Sequence, residues 1–425
     1  MKILVLSQYW FPEEGAPQRR WQWLTSLLLR DGHSVVAIAP PPVYKRRLTA
    51  KQWLAQQRKA LLAPNEERGP HGEVIIRSPF VPAGRSIRVR ALNQAVVALG
   101  TGISALRHGV LRRSRPDVVI GTVPALPTLF ATRFLAILCR VPYVIDLRDA
   151  WPELLVEMDE WGRETSGARN LAKRRSVRAG AQIVDATFYY VYRHAGAIIV
   201  TTDGHARMLN EKLGENGPRI HIVRNVFPPS LPGTGFQRIG SDGVLKVLYA
   251  GTVGRAQQLT NAIDAVAIAV DQFNIDIELR IVGDGAGWDV ASQKVKELGL
   301  PVTMLHHIPP RDLAQHYEWA DTALVHLASW ESLKATVPSK TYELMELGKH
   351  ITLVADGEAS DLVDSLGAGL SVPAGDPHAL AQAWFKLFWN RHLLSVSEEG
   401  RKWVLKQREE TTPKVLRLLV EEVAH

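Results

Sequence analysis

The chain has 425 residues, of which 46% are apolar and 22% charged, a composition that excludes collagenous, disordered and many-pass membrane proteins and suits two or three domains. The charge is uneven, because residues 1–200 carry a net charge of +14 and residues 201–425 one of −6. Residues 45–115 alone hold 15 basic side chains against three acidic ones. One region is therefore predicted to meet an anionic partner, which could be a nucleic acid, a lipid surface or a phosphorylated substrate.

Cysteine content and the apolar runs bear on the compartment. A single cysteine, Cys139, excludes a disulfide framework and a cysteine-based zinc site. Glu13 and Glu14 come too early for the apolar region of a signal peptide. The most apolar stretch, residues 118–139, contains two prolines and Arg133 and falls short of the ~18 uninterrupted apolar residues of a membrane-spanning helix. We therefore expect a cytoplasmic protein without a spanning helix.

In the first half of the chain, short apolar runs alternate with helical patterns. The run Ile3–Leu6 leads through a loop into the helical pattern Gln18–Arg30, and Ser34–Ala39 is the next apolar run. Three more apolar runs follow at Val118–Gly121, Tyr143–Asp146 and Ala197–Thr202. Apolar strands that alternate with helices predict a parallel sheet covered on both faces.

A second alternating series follows a segment rich in proline and glycine, residues 229–243, which is predicted to be a linker. Its strands are predicted at Lys246–Ala250, Ile277–Val282, Val302–His306, Thr322–Leu327, Ile351–Ala355 and Leu370–Val372, with helices at Leu259–Phe273 and Lys340–Glu346. We therefore predict an α/β protein with two doubly wound Rossmann-like domains, residues 1–228 and 244–397, facing each other across a cleft. Residues 398–425 are predicted to form a helical segment that breaks at residues 411–413 and closes the second domain or crosses back to the first.

The basic region, residues 45–115, consists of two parts. A helix is predicted over Ala50–Leu62, and Arg85–Arg115 has an apolar middle with arginines at both ends. This composition is typical of a helix that lies on an anionic membrane surface. The alternative is a buried core helix with solvated basic ends.

A predicted helix entry at Pro338-Ser339 places Lys340, Thr341 and Glu343 in a first turn. A helix N-terminus offers free N–H donors and a partial positive charge, which suit a phosphate group. Lys340 would add a mobile cation and Glu343 an acceptor for sugar hydroxyls. The alternative is that Glu343 only stabilises the helix dipole and that Lys340 is solvated.

Polar residues also follow predicted strands of the first half. Arg148 and Asp149 come directly after the run Tyr143–Asp146, and a carboxylate or a guanidinium is costly to bury there unless it is paired or binds a polar ligand. Asp149 alternatively caps the next helix. Gly15 lies in the first predicted loop, where a backbone without a side chain can approach a phosphate or an acceptor.

Several segments together resemble the family 4 retaining glycosyltransferases of the GT-B fold. They are YWFPEEGAP (9–17), IDLRDAWPE (145–153), LYAGTVGRAQ (248–257), VGDG (282–285), SKTYELMELGK (339–349) and ADGE (355–358), in the family's order. The resemblance is strongest to the branch that assembles bacterial surface polysaccharides, which includes amino-sugar and deoxy-amino-sugar transferases. It implies transfer of such a sugar from a UDP-sugar to a polyprenyl-diphosphate-linked or other membrane-associated glycan acceptor, with no metal or further cofactor, at the inner face of the cell membrane.

The resemblance also implies roles for particular residues. Glu343 corresponds to the second glutamate of the E-x7-E motif and would bind the donor ribose, whereas the first glutamate falls on Ala335, with Glu331 nearby. Arg255 and Lys340 would clamp the diphosphate, and Arg148-Asp149 takes the place of a histidine-aspartate pair beside the reacting sugar. Further donor contacts are implied for Gly15, Gly283, Asp284, Ile308, Thr341 and Glu358.

Two other functions compete with sugar transfer. A nucleotide-sugar 2-epimerase shares the two-domain architecture, but the arginine-rich apolar segment would have no purpose there. A nucleic-acid-binding protein is suggested by the high isoelectric point of about 9.5. The sequence contains no recognition-helix, zinc-finger or RNA-binding pattern, so nucleic acid is not expected as a partner.

Overall fold

The computed structural model describes residues 1–13, 15–42, 49–62, 66–81, 87–108, 115–123, 126–154, 185–229, 231 and 243–424. The chain divides into two compact units. The first consists of Met1–Phe227 together with Thr412–His425, and the second is Pro228–Thr411. The first unit therefore takes its residues from both ends of the chain.

The first unit is built on an eight-stranded sheet with the order β3-β4-β2-β1-β5-β6-β7-β8. Its strands are β1 Lys2–Leu6, β2 Ser34–Ala39, β3 Glu66–Arg68, β4 Val74–Arg77, β5 Val118–Val123, β6 Tyr143–Leu147, β7 Ala197–Val200 and β8 Arg219–Ile222. The pairings are parallel except for β3, which runs antiparallel to β4. The central strands β1, β5, β6 and β7 are nearly fully buried, as expected for a parallel sheet covered on both faces.

The helices of the first unit are α1 Ala16–Arg30, α2 Ala50–Leu62, α3 Ile87–Arg107, α4 Leu126–Cys139, α5 Asp203–Leu213 and the C-terminal α13 Thr412–Ala424, and residues 185–193 are also helical. Local signals start two of them. A proline lies in the first turn of α1, and the Thr202 side chain accepts a hydrogen bond from the N–H of His205 at the start of α5.

The second unit has a six-stranded, fully parallel sheet with the order β11-β10-β9-β12-β13-β14. Its strands are β9 Leu245–Ala250, β10 Ile277–Val282, β11 Val302–Leu305, β12 Thr322–His326, β13 Ile351–Val354 and β14 Gly369–Val372. The order reverses between β9 and β12, so the carboxyl ends of these two strands form a switch point of the kind at which open α/β sheets bind ligands.

The helices of the second unit are α6 Leu259–Asp271, α7 Trp288–Leu298, α8 Pro310–Trp319, α9 Ser339–Leu347, α10 Glu358–Ser365, α11 Pro377–Trp389 and α12 Glu399–Lys406, with 3-10 turns at Glu331–Ala335 and Arg391–Leu394. Glycines in the left-handed conformation end two of them, Gly299 after α7 and Gly348 after α9. Asp376 starts α11 by accepting a hydrogen bond from the N–H of Ala379.

The prediction of an α/β chain with two parallel sheets is confirmed, and three features differ from the expectations. The region 45–115 holds strands β3 and β4 between its two helices, and β4 pairs with β2 inside the sheet. Strand β8 was not expected. The break predicted at residues 411–413 is a π-helical turn, Gln407–Thr411, followed directly by α13. Most of the predicted linker, including residues 232–242, lies outside the described residues. None of the described helices is long and apolar enough to cross a bilayer.

Candidate active site

The predicted donor-binding residues of the second unit lie at the carboxyl edge of its sheet. Neighbouring strands β10, β9, β12 and β13 run parallel, so the loops that follow them lie side by side. Backbone contacts join the loops. The Gly251 N–H donates to Val282 O at 3.0 Å, and the Ala328 N–H, after β12, donates to Ala256 O, after β9, at 2.8 Å. The segments predicted separately from the sequence therefore form one continuous rim.

Two glycine turns of this rim pack backbone against backbone. Gly283 has a φ of 151°, and a Cβ atom at this position would lie 1.8 Å from Gly251 O. A Cβ at Gly285 would lie 2.1 Å from Val253 O. The Gly283–Gly285 turn, for which the resemblance implies donor contacts, thus also has a structural requirement for glycine.

Asp284, between these glycines, is held by the loop after β11. Its Oδ1 lies 2.5 Å from His306 Nδ1, and its Oδ2 accepts a hydrogen bond from the His307 N–H at 2.9 Å. Partial burial would raise the pKa of Asp284, but these hydrogen bonds outweigh it and place the pKa below its usual range. Trp288 stacks on the His306 ring with 4.3 Å between centroids. Ile308 directly follows this cluster, which forms a flat, partly exposed aromatic surface beside a carboxylate.

The N-terminal turn of α9 contains the predicted lysine and glutamate in direct contact. Lys340 Nζ lies 3.2 Å from Glu343 Oε2 and 5.9 Å from the centre of the Tyr317 ring. Burial would lower the pKa of Lys340, but Tyr317 and Glu343 outweigh it and hold the pKa above its usual value. Lys340 is therefore a fixed cation at the positive end of a helix, which is a suitable place for a phosphate.

Thr341 is positioned differently from its two neighbours. Its side chain is fully buried, its hydroxyl has no hydrogen-bond partner, and its N–H donates to Pro338 O at 2.9 Å. Thr341 thus faces the interior of the unit, whereas Lys340 remains partly exposed. The structure brings Lys340 and Glu343 together and leaves the Thr341 side chain away from them.

The turn Glu331–Ala335 contains Ala335, which stands where the E-x7-E motif has its first glutamate. Glu331 is 81% exposed and pairs with Lys334 at 2.6 Å. The same turn contacts the start of α10, since a Cβ on Gly357 would lie 2.3 Å from Lys334 O. Glu358, the first residue of α10, therefore lies at the end of the loop that follows β13, next to the turn that carries Ala335.

Arg255 lies in the loop that follows β9, which contacts the loop that follows β12. It is half-buried, and its carbonyl oxygen accepts a hydrogen bond from the Gln258 N–H at 3.2 Å. The adjacent Ala256 carbonyl accepts the hydrogen bond that joins the two loops. Arg255 is thus anchored by its backbone at the switch point between β9 and β12, where a guanidinium can pair with phosphate oxygens.

In the first unit, the strand that precedes Arg148 and Asp149 holds a buried ion pair that the sequence analysis missed. Arg20 of α1 and Asp146 of β6 are both fully buried, with Nη2 and Oδ1 2.9 Å apart. The Trp21 indole N–H donates to the same carboxylate at 2.9 Å. Arg20 also donates to Val223 O and Asn225 Oδ1, at 2.8 and 2.9 Å. An acidic residue inside an apolar strand was the signal that should have indicated a buried basic partner.

Arg148 and Asp149 lie directly after this pair. The Arg148 Nε donates to Val123 O at 3.0 Å, which fixes the guanidinium at the end of β5. Burial lowers the pKa of Arg148, with Asp146 and Asp149 acting against that change. Burial raises the pKa of Asp149, with Arg148 opposing it. A half-buried guanidinium and a carboxyl group of raised pKa thus share one strand end, a combination that can bind and orient polar groups.

Gly15 precedes α1 and is exposed in an extended conformation, with a φ of −71°. A Cβ there would meet only the end of the Gln18 side chain, at 2.5 Å, and Gln18 in turn donates to Glu13 Oε2 at 2.8 Å. Gly15 was predicted in the first loop and is the residue directly before α1, and its backbone is not in a strained conformation that would demand glycine.

Within the described ranges, no group of three or more His, Cys, Asp and Glu side chains is arranged to hold a metal ion.

Sequence comparison assigns both halves to glycosyltransferase domains. Residues 15–226 match the profile "Glycosyl transferase 4-like domain", and residues 236–403 match "Glycosyl transferases group 1". The chain is 26% identical over 281 residues to the probable glycosyltransferase WbjE of Pseudomonas aeruginosa, covering 64% of this chain and 66% of that protein. It is 23% identical over 371 residues to the putative colanic acid biosynthesis glycosyl transferase WcaI of Escherichia coli K12, covering 84% of each.

Solved structures share the fold. Sucrose-phosphate synthase from Thermosynechococcus elongatus has a TM-score of 0.65 at 16% identity, with 99% of this chain and 98% of that chain covered. Anabaena Alr3699/HepE, solved in complex with UDP and glucose, has a TM-score of 0.62 at 16% identity, with 99% and 100% covered. With a glycosyltransferase domain in each half and the GT-B fold, the chain belongs to the family 4 glycosyltransferases.

Proposed function

We propose that this glycosyltransferase moves an amino or deoxy-amino sugar from a UDP-sugar to a lipid-linked or other glycan acceptor in bacterial surface-polysaccharide synthesis, with retention of configuration and without a metal. The observation that carries the proposal is the Lys340–Glu343 pair at the start of α9, at the same edge of the second sheet as the glycine turns. The relatives support the biological setting, since WcaI is described as a colanic acid biosynthesis enzyme. The HepE structure with UDP and glucose supports a uridine nucleotide.

The donor fits the second unit by its chemistry. A nucleoside diphosphate has a flat base, two ribose hydroxyls and a diphosphate. The glycine turns and the Trp288–His306 stack would accept the base and Glu343 the ribose hydroxyls. Arg255, Lys340 and the N–H groups at the start of α9 would neutralise the diphosphate.

In the proposed reaction, the bond between the anomeric carbon and the diphosphate oxygen breaks, and a bond to the acceptor oxygen forms on the same face of the sugar. The hydroxyl proton of the acceptor passes to the leaving phosphate. Charge builds on the leaving diphosphate, so cations already in place beside it are the largest catalytic contribution. Arg148 and Asp149, at the end of β6, are assigned to the sugar and the acceptor. Gly15 is assigned to a close approach of the backbone to a phosphate or to the acceptor.

A donor-binding experiment tests the nucleotide. Thermal unfolding is followed with UDP-, GDP- and dTDP-sugars, because a ligand that binds only the folded state raises the transition temperature. We expect the UDP-sugar to stabilise the wild type most. Stabilisation by a GDP- or dTDP-sugar alone would contradict the uridine assignment.

Two substitutions test the residues. Glu343→Ala and Lys340→Ala should each lower kcat/KM by roughly 100-fold or more, because each removes a charged contact to the donor. Glu346→Gln is the matched control, since Glu346 lies on the same helix but pairs with Arg408. Near-wild-type transfer by Glu343→Ala and Lys340→Ala, with the fold intact by circular dichroism, would refute the assignment.

Product analysis tests the chemistry. The anomeric coupling constant in the product, compared with that of the donor, reports retention or inversion, and activity in the presence of a chelator reports on metal use. Conversion of the donor to its 2-epimer without an acceptor would favour the epimerase, although neither WbjE, WcaI nor the structures named above is described as one.

A further inference from the structure

Helix α4 exposes an apolar stripe. Phe130, Phe134, Ile137 and Leu138 recur at the spacing of one helix face, and Phe134 and Ile137 are 55% and 60% exposed. The opposite face, with Leu129, packs into the core of the first unit. Several large apolar side chains exposed together on one helix face indicate a surface that contacts a partner.

Helix α3 extends the stripe into a surface. It packs directly against α4 and exposes its own apolar side chains, among them Leu99 at 70% and Ile103 at 45%. The α3/α4 surface consists of Leu92, Leu99, Ile103, Leu106, Phe130, Phe134, Ile137 and Leu138. Single exposed leucines are common on soluble proteins, whereas a run over two adjacent helices marks an interaction surface.

The charged residues in this part of the chain are nearly all basic. Residues 74–145, which contain both helices, carry ten arginines, no lysine and one acidic residue, Asp117. Among the described residues, Arg107 and Arg140 are exposed at the ends of α3 and α4. Guanidinium groups are weakly hydrated and pair with phosphate in a two-pronged geometry. The region therefore combines apolar side chains with groups that suit anionic phosphates.

An amphipathic side chain borders the surface. Tyr190 is 52% exposed, and Arg133 of α4 lies over its ring, 4.7 Å from the centroid, with Nη2 3.2 Å from the Tyr190 hydroxyl. Tyrosine and arginine with apolar bodies and polar tips are typical of the boundary between lipid headgroups and acyl chains. Tyr190 and Arg133 thus mark the level at which such a boundary would lie.

We infer that the α3/α4 surface inserts into the acyl boundary of a membrane rich in anionic lipids, with the arginines at the headgroup phosphates. This differs in two ways from the expectation for residues 85–115. Helix α4 contributes half of the apolar side chains, and these side chains insert into the membrane in addition to the attraction between charges. A second copy of this chain is the weaker partner, since a symmetric contact would bring the same arginine-rich surfaces together.

Vesicle flotation tests the inference without requiring turnover, so its outcome is independent of the proposed function. The full chain should float with phosphatidylcholine vesicles that contain phosphatidylglycerol, and much less with phosphatidylcholine alone. Phe134→Ser/Ile137→Ser should lower the floating fraction roughly tenfold or more, because two inserted side chains are lost. High salt should weaken binding of the wild type without abolishing it.

The matched control is Val290→Ser/Leu298→Ser on α7 of the second unit, where the side chains are similarly exposed, 60% and 47%. It should float like the wild type. Equal flotation of the Phe134→Ser/Ile137→Ser protein, or no flotation of the wild type, would overturn the inference. A dimer in sedimentation that dissociates in this variant would assign the surface to self-association instead, which also overturns it.

The emission of a polarity-sensitive dye reports whether the surface enters the membrane. Cys139 is buried, and burial raises the pKa of its thiol, so a cysteine introduced as Phe134→Cys reacts first with a polarity-sensitive dye. Its emission should shift to the blue on binding to phosphatidylglycerol vesicles, whereas dye at Val290→Cys should not shift. Equal emission of the two labelled proteins would contradict insertion.

Discussion

The two sheets of this glycosyltransferase form their carboxyl edges in different ways. In the second unit the edge consists mainly of backbone, with glycine turns in contact and a helix start that carries Lys340 and Glu343. In the first unit the corresponding edge rests on side chains, with Arg20 and Asp146 paired out of contact with water. The structure of the second edge therefore depends on glycines without side chains, whereas the structure of the first edge depends on the presence of both members of the ion pair.

This contrast indicates that the two edges have different roles. Free N–H groups and a few cations in fixed positions suit a part of the ligand that does not vary, such as a nucleoside diphosphate. The buried pair of the first unit already has its partners and fixes α1, β6 and the segment that holds Val223 and Asn225 relative to one another. Arg148 and Asp149 project from that fixed base.

The largest expected effect comes from breaking the pair in the first unit. Asp146→Ala leaves the Arg20 guanidinium buried without a carboxylate, which should lower the free energy of unfolding by about 3–5 kcal/mol. Urea unfolding measures the change. Asp31→Asn, which removes the surface pair with Arg417, is the control and should change little. Equal losses in both variants would contradict the distinction between buried and exposed pairs.

The matching substitution in the second unit adds one methyl group. Gly283→Ala places a Cβ 1.8 Å from Gly251 O and should cost about 2–3 kcal/mol, together with loss of stabilisation by the UDP-sugar. Gly254→Ala is the control, since its Cβ would meet only the end of the Gln257 side chain. Urea unfolding with and without donor measures both effects. A fully stable Gly283→Ala protein would show that the turn relaxes and that the carboxyl edge of the second sheet is not rigid.

Acid should affect the second unit more than the first. Burial lowers the pKa of His326 to about 4 and that of His350 to about 3 in the second unit, and that of His205 to about 4 in the first. The unfolded chain binds these protons near pH 6.5, so stability is complete above that pH and falls as the pH drops toward 4. At about pH 5 the loss is roughly 2 kcal/mol for each imidazole.

His350→Asn isolates one of these contributions. Asparagine can keep the hydrogen bond to Thr322, whose hydroxyl lies 2.8 Å from His350 Nδ1, but does not titrate. The free energy of unfolding, measured by urea between neutral pH and about pH 5, should therefore fall less steeply in the variant. Identical pH dependence in the two proteins would contradict the assignment.

The sequence predicted elements with strong periodicity and missed those defined by distant partners. Strand β10 was predicted with its observed bounds, Ile277–Val282, because its apolar residues alternate with charged ones between turn signals. Strand β3, Glu66–Arg68, is short and charged and exists only because it pairs with β4. Strand β8, Arg219–Ile222, alternates basic and apolar residues and likewise depends on its neighbour.

The same limit applies to the candidate site. Lys340 and Glu343 lie three positions apart on one helix, so their contact could be anticipated from local spacing. Arg20 and Asp146 are 126 positions apart, and Arg20 reads as a surface residue of α1 until the sheet brings β6 beside it. The exposed side of α4 could not be predicted either, since both its buried and its exposed faces carry mostly apolar residues and no clear period separates them.

Helix α13 has a consequence for biosynthesis. It belongs to the first unit, and Arg417 and Glu422 on it contact Asp31 and His221, respectively. The ribosome makes these residues only after the whole second unit, so the first unit cannot complete its contacts before the second unit has been made. A nascent chain that has been made only as far as residue 411 should therefore contain the whole second unit and a first unit that still lacks α13.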